Sequence, residues 1–308
     1  MDLRQLRHFV TVVRFASFSL AAEKLHLTQS ALSKSLRTLE QSLGVRLLDR
    51  GPTGIKMTVF GERLLGYSEL VLSLADEAVD EIDALRGARS GTLNIGAMAA
   101  ALERLVPQAL IAFKSARPDV DVVVHEGLND ALLTSLYAGK LDLVISVPPV
   151  DFIHEDFEWM PLREEPVDIV VGKDHPFAER ESIHLSELVP HAWVVPPRPE
   201  PDRLSLDALF IAAGLPKPRI AVETTSVTFL TGMLCQTRHL SYLSRSNLET
   251  ATSPLRALRL ETPTWSRRVC AVYRRKGVVR PTVLAFIQEA TGTFRGLEQT
   301  AEKSRLAP

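Results

Sequence analysis

Cysteine is nearly absent: only Cys235 and Cys270 occur in 308 residues. They have neither the spacing of a metal-ligand set nor the density of a disulfide scaffold, so both read as core thiols in a reducing compartment. No apolar run approaches the roughly 20 residues needed to span a bilayer. The opening MDLRQLRHFV lacks the apolar h-region of a secretion signal, so the expected location is the cytosol, with no membrane partner. Catalytic signatures are missing too. None of the eight histidines pairs with another at metal-ligand spacing, and neither a G-x-S-x-G nucleophile motif nor a glycine-rich phosphate loop occurs. His175 in DHPFA reads as a turn and packing residue. No catalytic residue, metal or cofactor is expected, and an enzyme remains as a rival reading.

What is present is an ordinary globular composition, with 45% hydrophobic and 24% charged residues and a mean hydropathy of +0.06. The length exceeds what one hydrophobic core usually organises, so two domains are the working count. The net charge of −1 hides an asymmetry. Residues 1 to 60 carry nine Lys or Arg against four acids, and the remainder carries 27 against 33. A basic head on an acidic body suits a polyanion at the head, because each cation placed at a phosphate releases condensed counterions. A solvated helical surface carries such a charge as well.

Local signals inside the head are sharper. Ser17 or Ser19 caps a helix through SLAAEKLHL, whose Ala21 and Ala22 permit close helix crossing. Thr28 is a second N-cap, and QSALSKSLRTLEQSL runs from it to Gly44, which suits the left-handed position after a helix. Leu32, Leu36, Leu39 and Leu43 form one apolar stripe. Ser30, Ser33, Lys34 and Arg37 lie opposite, with Gln29 at the N-terminus and no acid before Glu40. Short donors and acceptors followed by cations are the side chains that read base edges and grip phosphates from the N-terminal end of a recognition helix. Any solvated helix has a polar face, which is the plainer alternative. VRLLDRGPTGIKMT then reads as a β-hairpin, a wing carrying Arg46, Arg50 and Lys56.

From Leu3 to Thr58 the chain resembles, without gaps, the DNA-binding domain of LysR-type transcription regulators. The resemblance implies that Gln29, Ser30, Ser33 and Lys34 face bases and phosphates, and that Arg37, Arg50 and Thr53 belong to the same surface. Lys34 stands where the family often has Arg, and Thr53 stands at a wing tip where Arg is frequent. Lysine lacks the planar fork that Arg offers guanine, which leaves the base preference there open.

After Thr58 one long helix runs to Gly87. Its Leu64, Val71, Ala75, Ala78, Ile82 and Leu85 recur largely at spacings of 3 and 4, interrupted by Ser68. Such a seam either meets a partner helix or packs on its own domain. The resemblance favours the first, an antiparallel dimer helix carrying two heads to one roughly palindromic site.

The body alternates strand and helix patterns. GTLNIGA, ALERLVPQALIAFKSARP, VDVVVHEG, a further helix and DLVISVPP describe a parallel sheet with crossover helices. VDIVVGKDHPFA, HAWVVPP, LDALFIAAG, ETTSVTFLTGML, CAVYRRK and PTVLAFIQEATGTF continue it. Two α/β lobes joined by crossing strands resemble the type 2 periplasmic-binding-protein fold that the family uses as its effector domain. The expected class is therefore α/β, with an N-terminal winged helix-turn-helix and a C-terminal two-lobed domain. The expected divisions are residues 1–58, a linker helix over 59–90, and an effector-binding domain over 91–300. Lobe I of that domain takes about 91–162 with 268–300, and lobe II about 163–267.

Carried over residue by residue, the effector site falls at Ala99, Ala100, Leu128, Asn129, Ser146, Val147, Thr225 and Ser226. Val147 departs from the Arg of members that bind aromatic dicarboxylates, and Cys235 to His239 replaces a usually glycine-rich turn. Arg238 in that turn reads as a surface residue. The lining favours a partly apolar small molecule. The expected partners are double-stranded operator DNA, a metabolite effector, a homodimer extending to a homotetramer, and RNA polymerase as a candidate; when bound to DNA the protein is nucleoid-associated. Two rivals outside enzymology remain: an exported solute-binding protein, for which the head has no use, and a DNA-binding protein indifferent to its pocket.

Overall fold

The computed structural model describes residues 1–51, 54–85, 91–148, 156–248, 254–275 and 279–292. Contacts divide the chain into two compact units, one of Met1–Gly91 with Thr134–Leu141 and one of the rest.

In the first unit each helix boundary has a local cause. Helix α1 (Leu3–Phe15) begins at a capping box, in which the Asp2 carboxylate accepts from the Gln5 N–H while the Gln5 side chain accepts from the Asp2 N–H. Ser17 caps α2 (Phe18–Lys24), and Thr28 caps α3 (Gln29–Leu43), which ends at Gly44 with φ of 71°. Helix α2 stops three residues short of the expected Leu27, because His26 turns left-handed at φ 53°. Phe9, Val12, Phe18, Ala21, Ala22, Leu32, Leu36 and Leu39 close the core between the three helices. Leu43 lies at the uncovered end of its stripe and is 38% exposed.

The expected hairpin is present as β1 (Leu48–Gly51) paired antiparallel with β2 (Gly54–Met57). Glu40 is the first acid on α3, and its Oε1 accepts from the N–H of Leu47 at 2.8 Å and of Leu48 at 3.3 Å, which ties the wing to the helix. Helix α4 (Val59–Leu85) follows directly. The Thr58 hydroxyl donates to the Arg46 carbonyl and accepts the Gly61 N–H, so one side chain joins the start of the wing to the start of α4. Leu64 and Leu65 pack on the three-helix core. Ser68 is buried and returns its hydroxyl to the Leu64 carbonyl. Beyond it Val71 and Ile82 are 40% and 57% exposed. The Leu85 side chain and residues 86–90 lie outside the described residues.

The second unit carries β3 (Thr92–Ala97), α5 (Ala99–Leu102), α6 (Leu105–Ala116), β4 (Asp121–Glu126), α7 (Asn129–Tyr137, whose end belongs to the first unit) and β5 (Leu143–Ser146). Next come β6 (Phe157–Gly172), β7 (Ala192–Val195), α8 (Pro201–Ala212), β8 (Arg219–Glu223), α9 (Val227–Gln236) and β9 (Ser241–Ser244). It ends with α10 (Arg245–Leu248), β10 (Leu255–Ala257), β11 (Trp265–Arg274) and a helix over residues 281–292, α11.

The main sheet runs β10-β6-β11-β5-β3-β4, with β9 also on β6, while β7 and β8 pair separately. Strands β3, β4 and β5 are parallel, as the alternating pattern predicts, but β11 returns antiparallel to both β5 and β6. The sheet is therefore mixed rather than parallel. Strand β6 starts ten residues before the expected VDIVV run, and β8, β9 and β10 are additions to the sequence pattern. Two cores result. One joins β3, β5, α6 and α11 around Phe113 and Phe286, and the other joins the end of β6 to β7 and α8 around Trp193 and Phe210. Strands β6 and β11 pass from one core to the other, and the register shifts there between Val269 and Cys270, which sets Leu162 as an extra residue on β6.

Gly61 sits where α4 meets the wing, and a Cβ there would stand 2.2 Å from the Leu47 carbonyl oxygen. Gly61→Ala is expected to lower stability by about 1–3 kcal/mol through forced backbone separation. At Gly66 a Cβ would reach only the Tyr137 ring at 3.5 Å, so Gly66→Ala gains up to about 1 kcal/mol of helix propensity. Urea denaturation of the full chain followed by helical circular dichroism separates the two, and equal midpoints would refute the close approach.

Candidate functional site

Two surfaces gather the chemistry. On α3, Gln29, Ser30, Lys34 and Arg37 are exposed and Ser33 is half-buried, while Leu32, Leu36 and Leu39 turn inward. The polar set therefore lies on the face turned away from the apolar stripe. Thr28 accepts the Ala31 N–H at 3.2 Å and also bonds the Ser30 hydroxyl at 3.1 Å, so the first turn is fixed before any ligand arrives. His8 supports the helix from behind, its Nδ1 2.8 Å from the Ser35 hydroxyl. Burial first, and Arg4 next, hold His8 below its ordinary pKa. Arg37, Arg46, Glu40 and Gln41 border a hollow beside the start of the wing. Arg50 is on β1 with its side chain outside the described residues, Thr53 lies outside them altogether, and Lys56 is exposed on β2.

The second site is a cavity of about 340 Å³ inside the second unit. Of the expected effector residues, Ala99, Ala100, Leu128, Thr225 and Ser226 line it. Asn129, Ser146 and Val147 do not, and the structure places them behind the wall. Val147 packs into the first core. The Ser146 hydroxyl donates to the Asn129 Oδ1, both residues being buried. Arg238 is exposed and outside the lining.

The wall also holds residues that the sequence reading did not single out: Glu126, Glu200, Asp202, Tyr242 and Arg267. Arg267 and Glu165 are direct cross-strand partners on β11 and β6, at the passage between the cores. The guanidinium gives Nε and Nη2 to Glu165 Oε2 at 2.9 and 2.6 Å and Nη1 to Asp202 Oδ2 at 2.5 Å. Trp265 donates to the other Asp202 oxygen at 2.9 Å, and the Ser246 hydroxyl to the other Glu165 oxygen. Burial alone would raise the Glu165 pKa, but Arg267, Ser246 and Arg163 outweigh it and hold the carboxyl below its ordinary value. Arg267 is raised for the complementary reason: burial acts against its charge, and Asp202 and Glu165 overcome it.

Glu200 behaves oppositely. It precedes α8, and its Oε1 accepts the N–H of Asn129 at the start of α7, 3.0 Å away. Burial raises its pKa, the Asn129 N–H opposes the rise, and Asp130 and Asp202 add to it. The Tyr242 hydroxyl has no hydrogen-bond partner among the described residues although the residue is 5% exposed, and burial and then Asp202 push its pKa well up. Opposite stands the N-terminus of α9, where Ser226 caps the Phe229 N–H at 3.2 Å and gives its own N–H to the Thr224 hydroxyl. Among the described residues no helix is long and apolar enough to cross a membrane, and no group of three His, Cys, Asp or Glu could hold a metal ion.

Comparison with known proteins follows the same division. A family model described as bacterial regulatory helix-turn-helix protein, lysR family, matches residues 3–62, and the LysR substrate binding domain matches residues 86–295. The chain is similar to the HTH-type transcriptional regulator YybE of Bacillus subtilis, with 30% identity over 236 residues, 76% of this chain and 79% of that protein. It is 32% identical to the regulator PcaQ of Agrobacterium fabrum over 230 residues, 74% of each. The full-length regulator CbnR, solved in complex with its target DNA, superposes with a TM-score of 0.69 at 22% identity over 95% of this chain and all of that one, which shows a common fold.

The buried pairing at Arg267 carries a stability prediction. Arg267→Ala leaves Asp202 buried without a cation and Glu165 with only Arg163, 3.4 Å away, and is expected to cost about 3–5 kcal/mol. Its neighbour Arg268 pairs with Glu164 in the open, both side chains more than half exposed, so Arg268→Ala is expected to cost less than about 1 kcal/mol. Urea melts of the two variants test this, and similar losses at both positions would contradict it.

Proposed function

Since the chain belongs to the LysR family of bacterial transcription regulators, matched in both its helix-turn-helix and its substrate-binding domain, we propose that α3 reads operator DNA and that a small molecule in the cavity of the second unit sets how well it does so. The family's members are regulators, and this chain is not an enzyme. The observation that carries the reading is the polar face of α3, with Gln29, Ser30, Lys34 and Arg37 exposed. Gln29, Ser30 and Ser33 stand at the end that enters a major groove, and Lys34 and Arg37 follow as cations. Lys34 acts as a point charge on a phosphate, and Arg50, Thr53 and Lys56 bring the wing to the flanking backbone.

The working divisions are those of the sequence pattern, residues 1–58, 59–90 and 91–300, with lobe I over 91–162 and 268–300 and lobe II over 163–267. The exposed Val71 and Ile82 of α4 supply the seam of a dimer, and two dimers make the tetramer. Two heads related by a two-fold axis favour an interrupted palindrome. A protein seated there acts in the cytoplasm, at the nucleoid, and is placed to meet RNA polymerase. Ala99, Ala100, Leu128, Thr225 and Ser226 contact the effector, with Asn129, Ser146 and Val147 holding the wall behind them. A ligand that fits one lobe arrangement better than another shifts that equilibrium by its differential affinity, and DNA binding shifts with it.

Two variants test the halves separately. Lys34→Ala is expected to weaken operator binding roughly tenfold and to reduce the slope of log affinity against log salt by about 1, with unchanged circular dichroism. Ser226→Trp fills the cavity mouth and is expected to keep DNA binding while the response to effector is lost. Fluorescence anisotropy on an operator fragment reads both, and wild-type behaviour in the two variants would refute the site assignments.

A further inference from the structure

We propose that the cavity receives the ammonium head of an otherwise apolar small molecule on the Glu200 carboxylate. This rests on the cavity being the effector site and adds the sign of the effector's head group. Among the described residues three carboxylates line the cavity, those of Glu126, Glu200 and Asp202, against one basic side chain, Arg267. That guanidinium already gives Nε and Nη2 to Glu165 and Nη1 to Asp202. An incoming anion would therefore find no uncommitted guanidinium or ammonium among the described residues of the wall.

Glu200 is in the opposite position. It is 8% exposed, it makes no ion pair with a described residue, and one of its oxygens holds only the Asn129 N–H. A buried carboxylate without a cation is costly, and a ligand cation that desolvates against it recovers much of that cost. The Tyr242 hydroxyl gives a second, independent pointer. It is buried and has no hydrogen-bond partner among the described residues, Tyr242 lines the same cavity, and the charges that act on it are those of Asp202, Arg203, Glu200 and Arg267. An ammonium has three donors and no acceptor, so on Glu200 it keeps donors for a further acceptor of the wall, for which Tyr242 is the candidate. Met98, Leu128, Leu230 and Leu243 supply apolar wall for the rest of the molecule. Glu200 also touches the first turn of α7, so a ligand on its second oxygen binds at a contact between the lobes.

The test is calorimetric titration of the full-length protein with benzylamine, benzyl alcohol and benzoate, three probes of one shape and different head. Wild type is expected to bind benzylamine at least tenfold more tightly than benzyl alcohol, and benzoate most weakly. Glu200→Gln keeps an acceptor for the Asn129 N–H and is expected to remove that tenfold advantage. Tyr242→Phe is expected to reduce it severalfold, and Ser226→Trp to abolish binding of all three. Preference for benzoate, lost in Ser226→Trp, would overturn the ammonium assignment while leaving the cavity as the effector site. Benzylamine binding unchanged in Glu200→Gln and Ser226→Trp would overturn both, as would the absence of binding by every probe.

Discussion

One arginine between two carboxylates fixes the geometry of the second unit. Arg267, Glu165 and Asp202 are each more than nine-tenths buried, where each ion alone would lose several kcal/mol of hydration. They persist because the donor and acceptor set closes: Arg267 serves both acids, and Trp265 and Ser246 complete them. Arg267 and Glu165 face each other across β11 and β6, so a slip of one residue would turn both charges to the other side of the sheet. Asp202 is in the first turn of α8, and the same contact draws that turn, with Glu200 two residues before, onto the cavity. The polar wall of the site thus follows from the pairing that sets the strand register.

Charge is distributed along the chain to match. The first 60 residues are net basic and the rest net acidic, so the field that attracts a polyanion belongs to the head. Within the head two of the four acids are used for structure: Asp2 caps α1, and Glu40 anchors the wing. Their carboxylates accept backbone N–H groups, and Lys34 and Arg37 stay exposed on α3.

What could be read in advance was whatever local chemistry determines. Thr28 and Gly44 bound α3 in the structure as they do in the sequence, and Gly51 pairs with Gly54 at the ends of the two hairpin strands. Helix α1 escaped notice although Asp2 and Gln5 carry a D-x-x-Q cap. The sheet was half legible. Parallel pairing of β3, β4 and β5 follows from strand and helix alternation, whereas the antiparallel return of β11 depends on partners about a hundred residues away. The cavity was least legible for the same reason, since Arg267 and Asp202 are 65 residues apart and no spacing rule joins them. A usable signal was the charged pair in EEPVDIVV set against RRVCAVY, in strands otherwise apolar enough to be buried. Residues placed by position after a strand, such as Ser146 and Val147, depend on which face the strand's last residues turn, and here both are buried away from the cavity.

The most direct measurement is selection of bound fragments from genomic DNA by the purified full-length protein at about 0.15 M salt, where nonspecific backbone attraction is screened. The account predicts enrichment of one interrupted palindrome whose half-sites recur at a fixed spacing. Recovery of no sequence above background, with and without small amines present, would contradict it, because a helix face that reads bases must choose among them.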